Sequence, residues 1–254
     1  VSGPDQNINL PKIWNSTLGD GLKVFGIEQM ELPLVQLNIV IEGGQILEDK
    51  NKIGVASLIA ELFKQGSKDK TPLQMEEELE MLGASVYVSS GIEAISISVN
   101  TLSRNYEKTL DLVQEMILKP RWDAEEFGMA KSKIINILKR SQANPNYLSV
   151  VNFNKILYGE NSILGFNKMG TVASVESITL DDLKAYYEKY FSPSVASFQI
   201  AGSIKKDIVL KSLQGLAKEW AKKEVKIPEF KDFPIIDKAK IYFVDVPGAK
   251  QSVG

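Results

Sequence analysis

Two periods organise the apolar positions of the chain. Alternation of apolar and polar residues runs over 21–28 (G-L-K-V-F-G-I-E), 34–42 (L-V-Q-L-N-I-V-I-E), 84–90 and 94–102. Each run predicts a strand with one buried face. Further strands are expected at 195–201 and 241–246. Gly43-Gly44 closes the second strand, and a turn containing Gly91 joins the third to the fourth as a hairpin. Helical spacing accounts for most of the rest. Tyr106, Leu110, Val113 and Ile117 predict a helix over 104–118. Phe127, Ala130, Ile134, Ile137 and Leu138 predict another over 124–142, with Asp123 as its cap. Thr71-Pro72 opens a helix to about residue 82, because Thr is a good N-cap and Pro fits the first helical position. Helices are also expected at 146–158, 172–177, 179–190 and 205–223. Lys119-Pro120, Asn144-Pro145 and Ser192-Pro193 mark the stops between them.

The resulting order is β-β-α-α-β-β-α-α-α-α-β-α with a trailing strand. Strand pairs adjacent in sequence imply an α+β fold: a mixed, largely antiparallel sheet with helices packed on one face. Residues 1–20 read as an extended lead-in, 21–223 as one domain, 224–239 as a linker and 240–254 as the start of a further unit.

One stretch departs from the amphipathic norm. In 51–67 (N-K-I-G-V-A-S-L-I-A-E-L-F-K-Q-G-S) only Ser57, Glu61 and Lys64 interrupt the apolar run, and their spacing puts them on one face. A helix this apolar belongs inside the core.

Composition narrows the chemistry. The chain has 254 residues, with no Cys and no His. A His-based triad, a Cys nucleophile and a zinc site built on thiolate or imidazole are therefore excluded for this chain alone. Carboxylates by themselves favour Mg²⁺ or Ca²⁺. A formal net charge of −2 with both signs interspersed gives no basic face for nucleic acid. No apolar run approaches the ~18 residues that a membrane-spanning helix needs. The chain does not begin with Met, and it lacks cysteine. A bacterial periplasm or envelope location fits both, though no residue fixes the compartment.

The apolar helix also resembles the zinc-site helix of the pitrilysin/insulinase metallopeptidases, whose pattern is G-x-A-H-x-x-E-H-x-x-F-K-G-T. Gly54, Ala56 and the Gly66-Ser67 close match it. The first histidine falls on Ser57, the catalytic glutamate on Ala60 and the second histidine on Glu61. The likeness extends over roughly 20–205. It takes in Leu82-Gly83-Ala84, Lys119-Pro120 with Glu125-Glu126, Asn144-Pro145, Tyr158-Gly159, Gly170-Thr171, Tyr190-Phe191-Ser192-Pro193 and Ala201-Gly202. The family's third zinc ligand, a glutamate on a second helix, aligns with Ile137, and a supporting carboxylate aligns near Ala130. The resemblance thus implies an intact frame without its catalytic and metal residues.

In functional terms the resemblance implies a non-catalytic half of a two-component peptidase. Zinc and hydrolysis would belong to a catalytic partner subunit, and this chain would form chamber wall. The strand Val86, Tyr87, Val88, Ser89 and Ser90 corresponds to a sheet edge on which family members add substrate peptide as a further strand. The bland reading is an ordinary hairpin strand. Ser57 with Glu61 reads by default as a hydrogen-bonded helix face rather than a weak cation site. The acidic run at 76–80 reads as a solvated helix face. A purely structural subunit of a larger assembly is the alternative function. A carboxylate-only glycosidase is a third option, but no suitable carboxylate pair stands out.

Overall fold

The computed structural model describes residues 11–230 and 238–244. Six strands form one mixed sheet: β1 (Trp14–Leu18), β2 (Leu22–Glu28), β3 (Leu34–Glu42), β4 (Ser85–Ser90), β5 (Ala94–Leu102) and β6 (Ala196–Gly202). Their order across the sheet is β1-β2-β6-β3-β5-β4. Every neighbouring pair is antiparallel except β2 with β6, so the sheet is mixed and largely antiparallel. Alternation decides which face is covered. Leu22 and Val24 of β2, Val35, Leu37, Ile39 and Ile41 of β3, and Phe198 and Ile200 of β6 are all buried. Lys23, Phe25, Gln36 and Gln199, on the opposite face, are exposed.

Among the described residues there are nine helices: α1 (Val55–Phe63), α2 (Pro72–Met81), α3 (Tyr106–Leu118), α4 (Ala124–Ser141), α5 (Pro145–Tyr158), α6 (Val172–Ser177), α7 (Leu180–Tyr190), α8 (Lys206–Ser212) and α9 (Gln214–Glu219). The expected caps form. Thr71 with Gln74, and Thr179 with Asp182, make reciprocal capping boxes, and the Asp123 carboxylate accepts from the amides of Glu125 and Glu126.

Three expectations need correcting. The extended lead-in includes a strand that the pattern does not reveal, because Trp14–Leu18 pairs antiparallel with β2. Only Gly fits at position 26 of β2, since a Cβ there would lie 2.1 Å from the Trp14 ring. The last helix is two short ones that meet at Leu213. Residues 241–244 carry no strand, and the remainder of the trailing strand lies outside the described residues.

Helix α1 is the centre of the layer. Eight of its nine residues are buried. It packs on the edge strand β4 and against α4 and α7. At its C-terminal end Phe63 meets Phe191 and Tyr187 edge-on, with centroids 5.4 Å and 6.4 Å away. The buried hydroxyl of Tyr187 donates to the Ile117 carbonyl at 2.7 Å, tying α7 to α3. At its N-terminal end the cap is Gly54, in the left-handed region with φ 116° and with no side chain to satisfy the first amides. Glu48 does so instead. Its two oxygens accept from the amides of Gly54 (2.9 Å) and Ala56 (2.5 Å). Burial pushes the Glu48 carboxyl up to about 8, against the opposing pull of those two amide bonds.

This packing can be tested at three residues. Phe198→Ala, at a fully buried central-strand position, lowers folding stability by about 3–5 kcal/mol in urea titrations, whereas Tyr87→Ala at the exposed edge stays within about 0.5 kcal/mol. For Glu48 the folded state keeps a proton that the unfolded chain releases near 4.5, so stability falls as pH rises from about 4.5 to about 8. Glu48→Gln flattens that part of the pH–stability curve. An unchanged slope in the variant would show that Glu48 does not carry it.

Candidate functional site

The polar stripe of α1 meets the sheet edge at two points. Ser57 Oγ lies 2.9 Å from Ser90 Oγ, and Lys64 Nζ lies 5.5 Å from the centre of the Tyr87 ring. As numbering rises along α1 it falls along β4, so helix and edge strand run antiparallel, with Glu61 between the two contacts.

Ser57 is buried, with 7% of its surface exposed. Its hydroxyl donates to the Lys168 carbonyl at 3.0 Å. Lys168 in turn sends Nζ to the Ser90 carbonyl at 2.8 Å. The expected hydrogen-bonded face is therefore a closed ring between α1, the end of β4 and the loop before α6. Ala60 is buried and brings no polar atom. Glu61 is the only carboxylate of the stripe. Its Oε1 accepts from Lys64 at 2.9 Å and its Oε2 from Lys133 of α4 at 2.7 Å. Burial by itself would raise the Glu61 pKa, but the bonds from Lys133 and Lys64 outweigh it, and the carboxyl sits below its ordinary value. Ile137 is half-buried on α4, one turn beyond Lys133 and on the same face. Ala130, one turn before Lys133, is buried.

Of the four aligned positions, Ser57, Ala60 and Glu61 thus share one patch of α1, and Ile137 lies on the α4 face that carries Lys133. Zinc, which the resemblance assigns to a catalytic partner rather than to this chain, does not fit the residues present. A catalytic zinc site takes three protein donors. Here the one carboxylate is already held by two ammonium groups, the serine hydroxyl is engaged, and Ala60 and Ile137 offer no donor. Among the described residues no three acidic side chains converge as metal ligands.

Val86, Tyr87, Val88, Ser89 and Ser90 lie on β4, an outer strand of the sheet. Val88 and Ser90 face the helices and are buried, whereas Tyr87 is 64% exposed. Beyond β4 no further strand pairs among the described residues. Its outer backbone groups form the kind of row on which an extended peptide can add.

Two residues of the patch, Lys133 and Lys168, do not stand out in the sequence. Lys133 has a usable signal, since it falls on the face shared by Ala130 and Ile137. Lys168 has none, because it sits in a loop more than a hundred residues from Ser57 in sequence.

Comparisons with known proteins address the family and the fold. The model of the insulinase family (peptidase family M16) matches residues 25–163, and the model of the peptidase M16 inactive domain matches 177–253. A relative from Helicobacter pylori, described as a non-peptidase homolog, YmxG, is 26% identical over 72% of this chain and 42% of its own length. An uncharacterized zinc protease of Rickettsia felis is 22% identical over 83% of this chain and 50% of its own. The chain therefore spans about half the length of these curated relatives or less. Among solved structures, a peptidase M16 inactive domain from Pseudomonas fluorescens superposes with a TM-score of 0.79 at 23% identity, covering 86% of this chain and 53% of that one. With a family model matching more than half of its residues, and with the fold shared, the chain belongs to the insulinase family, peptidase family M16.

Proposed function

We propose that this chain is a non-catalytic member of the family that pairs with a catalytic M16 chain, forms part of the wall of the shared peptide chamber, and docks peptide on β4. One observation carries the reading: where the family places its second zinc-binding histidine, Glu61 is held by Lys64 and Lys133. Ammonium groups engage both Glu61 oxygens, the lone pairs that a metal would need, and the general-base position is Ala60. Zinc and the water it activates would belong to the partner. The non-peptidase description of the Helicobacter pylori relative and the match to the inactive-domain model support the same reading. So does the open edge of the sheet. No helix among the described residues is long and apolar enough to cross a membrane, and the proposed partner is a second folded chain.

The test is zinc content and peptidase activity, measured for the purified chain alone and after mixing with a catalytic M16 chain bearing an intact H-x-x-E-H helix. The expected result is sub-stoichiometric zinc and no hydrolysis alone, with a stable complex and a changed rate of peptide cleavage on mixing. One zinc per chain, bound by this protein alone, would overturn the reading. A complex that forms without any effect on cleavage would favour the alternative of a structural subunit.

A further inference from the structure

The charges along the peptide-docking edge are unevenly distributed. At the Ser85 end of β4 lies the C-terminal part of α2, with Glu76, Glu77 and Glu80, and the chain turns from it through Gly83 into the strand. From Tyr87 to Ser90 three lysines line α1 and its neighbours: Lys64 beside the Tyr87 ring, Lys133 on Glu61, and Lys168 at the Ser90 carbonyl. Lys64 and Lys133 both bind Glu61, which has 19% of its side chain exposed. Two ammonium groups on one carboxylate leave a net positive charge. Lys168 adds another, because its Nζ is bonded to the neutral carbonyl of Ser90. The lysines are also within reach of solvent. The Lys133 side chain is 58% exposed and that of Lys64 31%. Lys64 passes from Glu61 toward the exposed face of Tyr87 and so stands at the edge itself.

An extended peptide added to β4 would carry its side chains alternately toward and away from α1. Those on the α1 side, over the Tyr87–Ser90 half, would face Lys64, Lys133 and Lys168 with Glu61 already neutralised. Those near Ser85 would meet the carboxylates of α2.

On the reading that β4 docks peptide, we infer that the Glu61–Lys64–Lys133 cluster, with Lys168, selects peptides carrying acidic side chains over the Tyr87–Ser90 half of the edge. Two of the selecting lysines, Lys64 and Lys133, are bound to Glu61, the position that aligns with the second zinc-binding histidine of a catalytic relative. A site of positive charge is retained there, and it reads the ligand rather than activating water. Lys133 and Lys64 are the specificity-determining residues. Each acts by direct charge pairing with the ligand, at a partly exposed site where one pair is worth up to about fivefold in affinity.

The experiment uses the whole chain and three fluorescent decapeptides of one alternating β-prone sequence, which differ only in two central residues: both Glu, both Gln or both Lys. Anisotropy titrations at low salt are expected to rank Glu above Gln above Lys, with Glu about fivefold tighter than Gln. The gap should shrink at high salt, because such pairs are screened. Lys133→Ala together with Lys64→Ala frees the Glu61 carboxylate and should abolish or reverse the preference for the Glu peptide over the Gln peptide, whereas Lys133→Arg keeps it. Unchanged circular dichroism of the double variant would establish that the fold survives. Equal binding of the Glu and Gln peptides to the unaltered chain would overturn the inference while leaving docking on β4 intact. A gap that survives the double substitution would overturn the role of these lysines. Failure of all three peptides to bind would remove the docking reading and this inference with it.

Discussion

Burial of α1 sets the terms for the rest of the molecule. A nine-residue helix with eight buried positions cannot lie on a surface. It must have the sheet beneath it and helices beside it, and β4, α4 and α7 take those places. The same burial makes each polar group on α1 expensive unless it is answered. The first amides, the Ser57 hydroxyl and the Glu61 carboxylate are all answered, in part from distant segments of the chain. Glu48 caps the first amides, Ser90 and the Lys168 carbonyl take the Ser57 hydroxyl, and Lys133 reaches Glu61 from α4. These contacts join the sheet edge, the loop before α6 and α4 to a single element, so the geometry of the candidate site and the stability of the core are one problem.

The periodic elements are legible in the sequence because one physical rule decides them. Strands β3 and β5 fall on 34–42 and 94–102, where β-branched residues alternate with polar ones. Helix α3 buries the four residues whose spacing predicts it, Tyr106, Leu110, Val113 and Ile117. The features that the pattern does not reveal lack such a rule. Strand β1 is five residues long and pairs on one side only, and none of its positions is fully buried, so W-N-S-T-L carries little alternation of polarity. Its register depends on the Trp14 ring crossing Gly26, a tertiary fact. The break between α8 and α9 follows no proline and leaves Leu213 and Leu216 buried, so the apolar pattern runs straight through it.

The candidate site is legible as an alignment and not as an arrangement. Reading Ser57, Ala60, Glu61 and Ile137 against a zinc motif says which donors are absent. It does not say what satisfies a carboxylate left beside a core helix. A partly buried Glu61 without a counter-charge would have its pKa raised by desolvation, and its carboxyl instead sits below the ordinary value because two lysines converge on it. One of them, Lys64, is a neighbour along the same helix face. The other comes from α4, which in the family's pattern supplies the third metal ligand.

The Lys133–Glu61 pair joins the two helices that a metal would join in a zinc-binding relative. In a zinc site the metal links two helices by binding donors from both, and loss of the donors would remove the link. Here the Lys133–Glu61 pair makes the same connection between α1 and α4 at 2.7 Å, while the ring of Ser57, Ser90 and Lys168 ties α1 to the sheet edge. An ammonium is one positive charge where a zinc ion would be two, and it donates hydrogen bonds where the metal would accept lone pairs, so it polarises no water for attack. Replacing coordination by ion pairing therefore preserves the packing between helices and the positive sign of the patch. On the proposed non-catalytic reading it gives up Lewis acidity, the property that zinc-dependent hydrolysis needs.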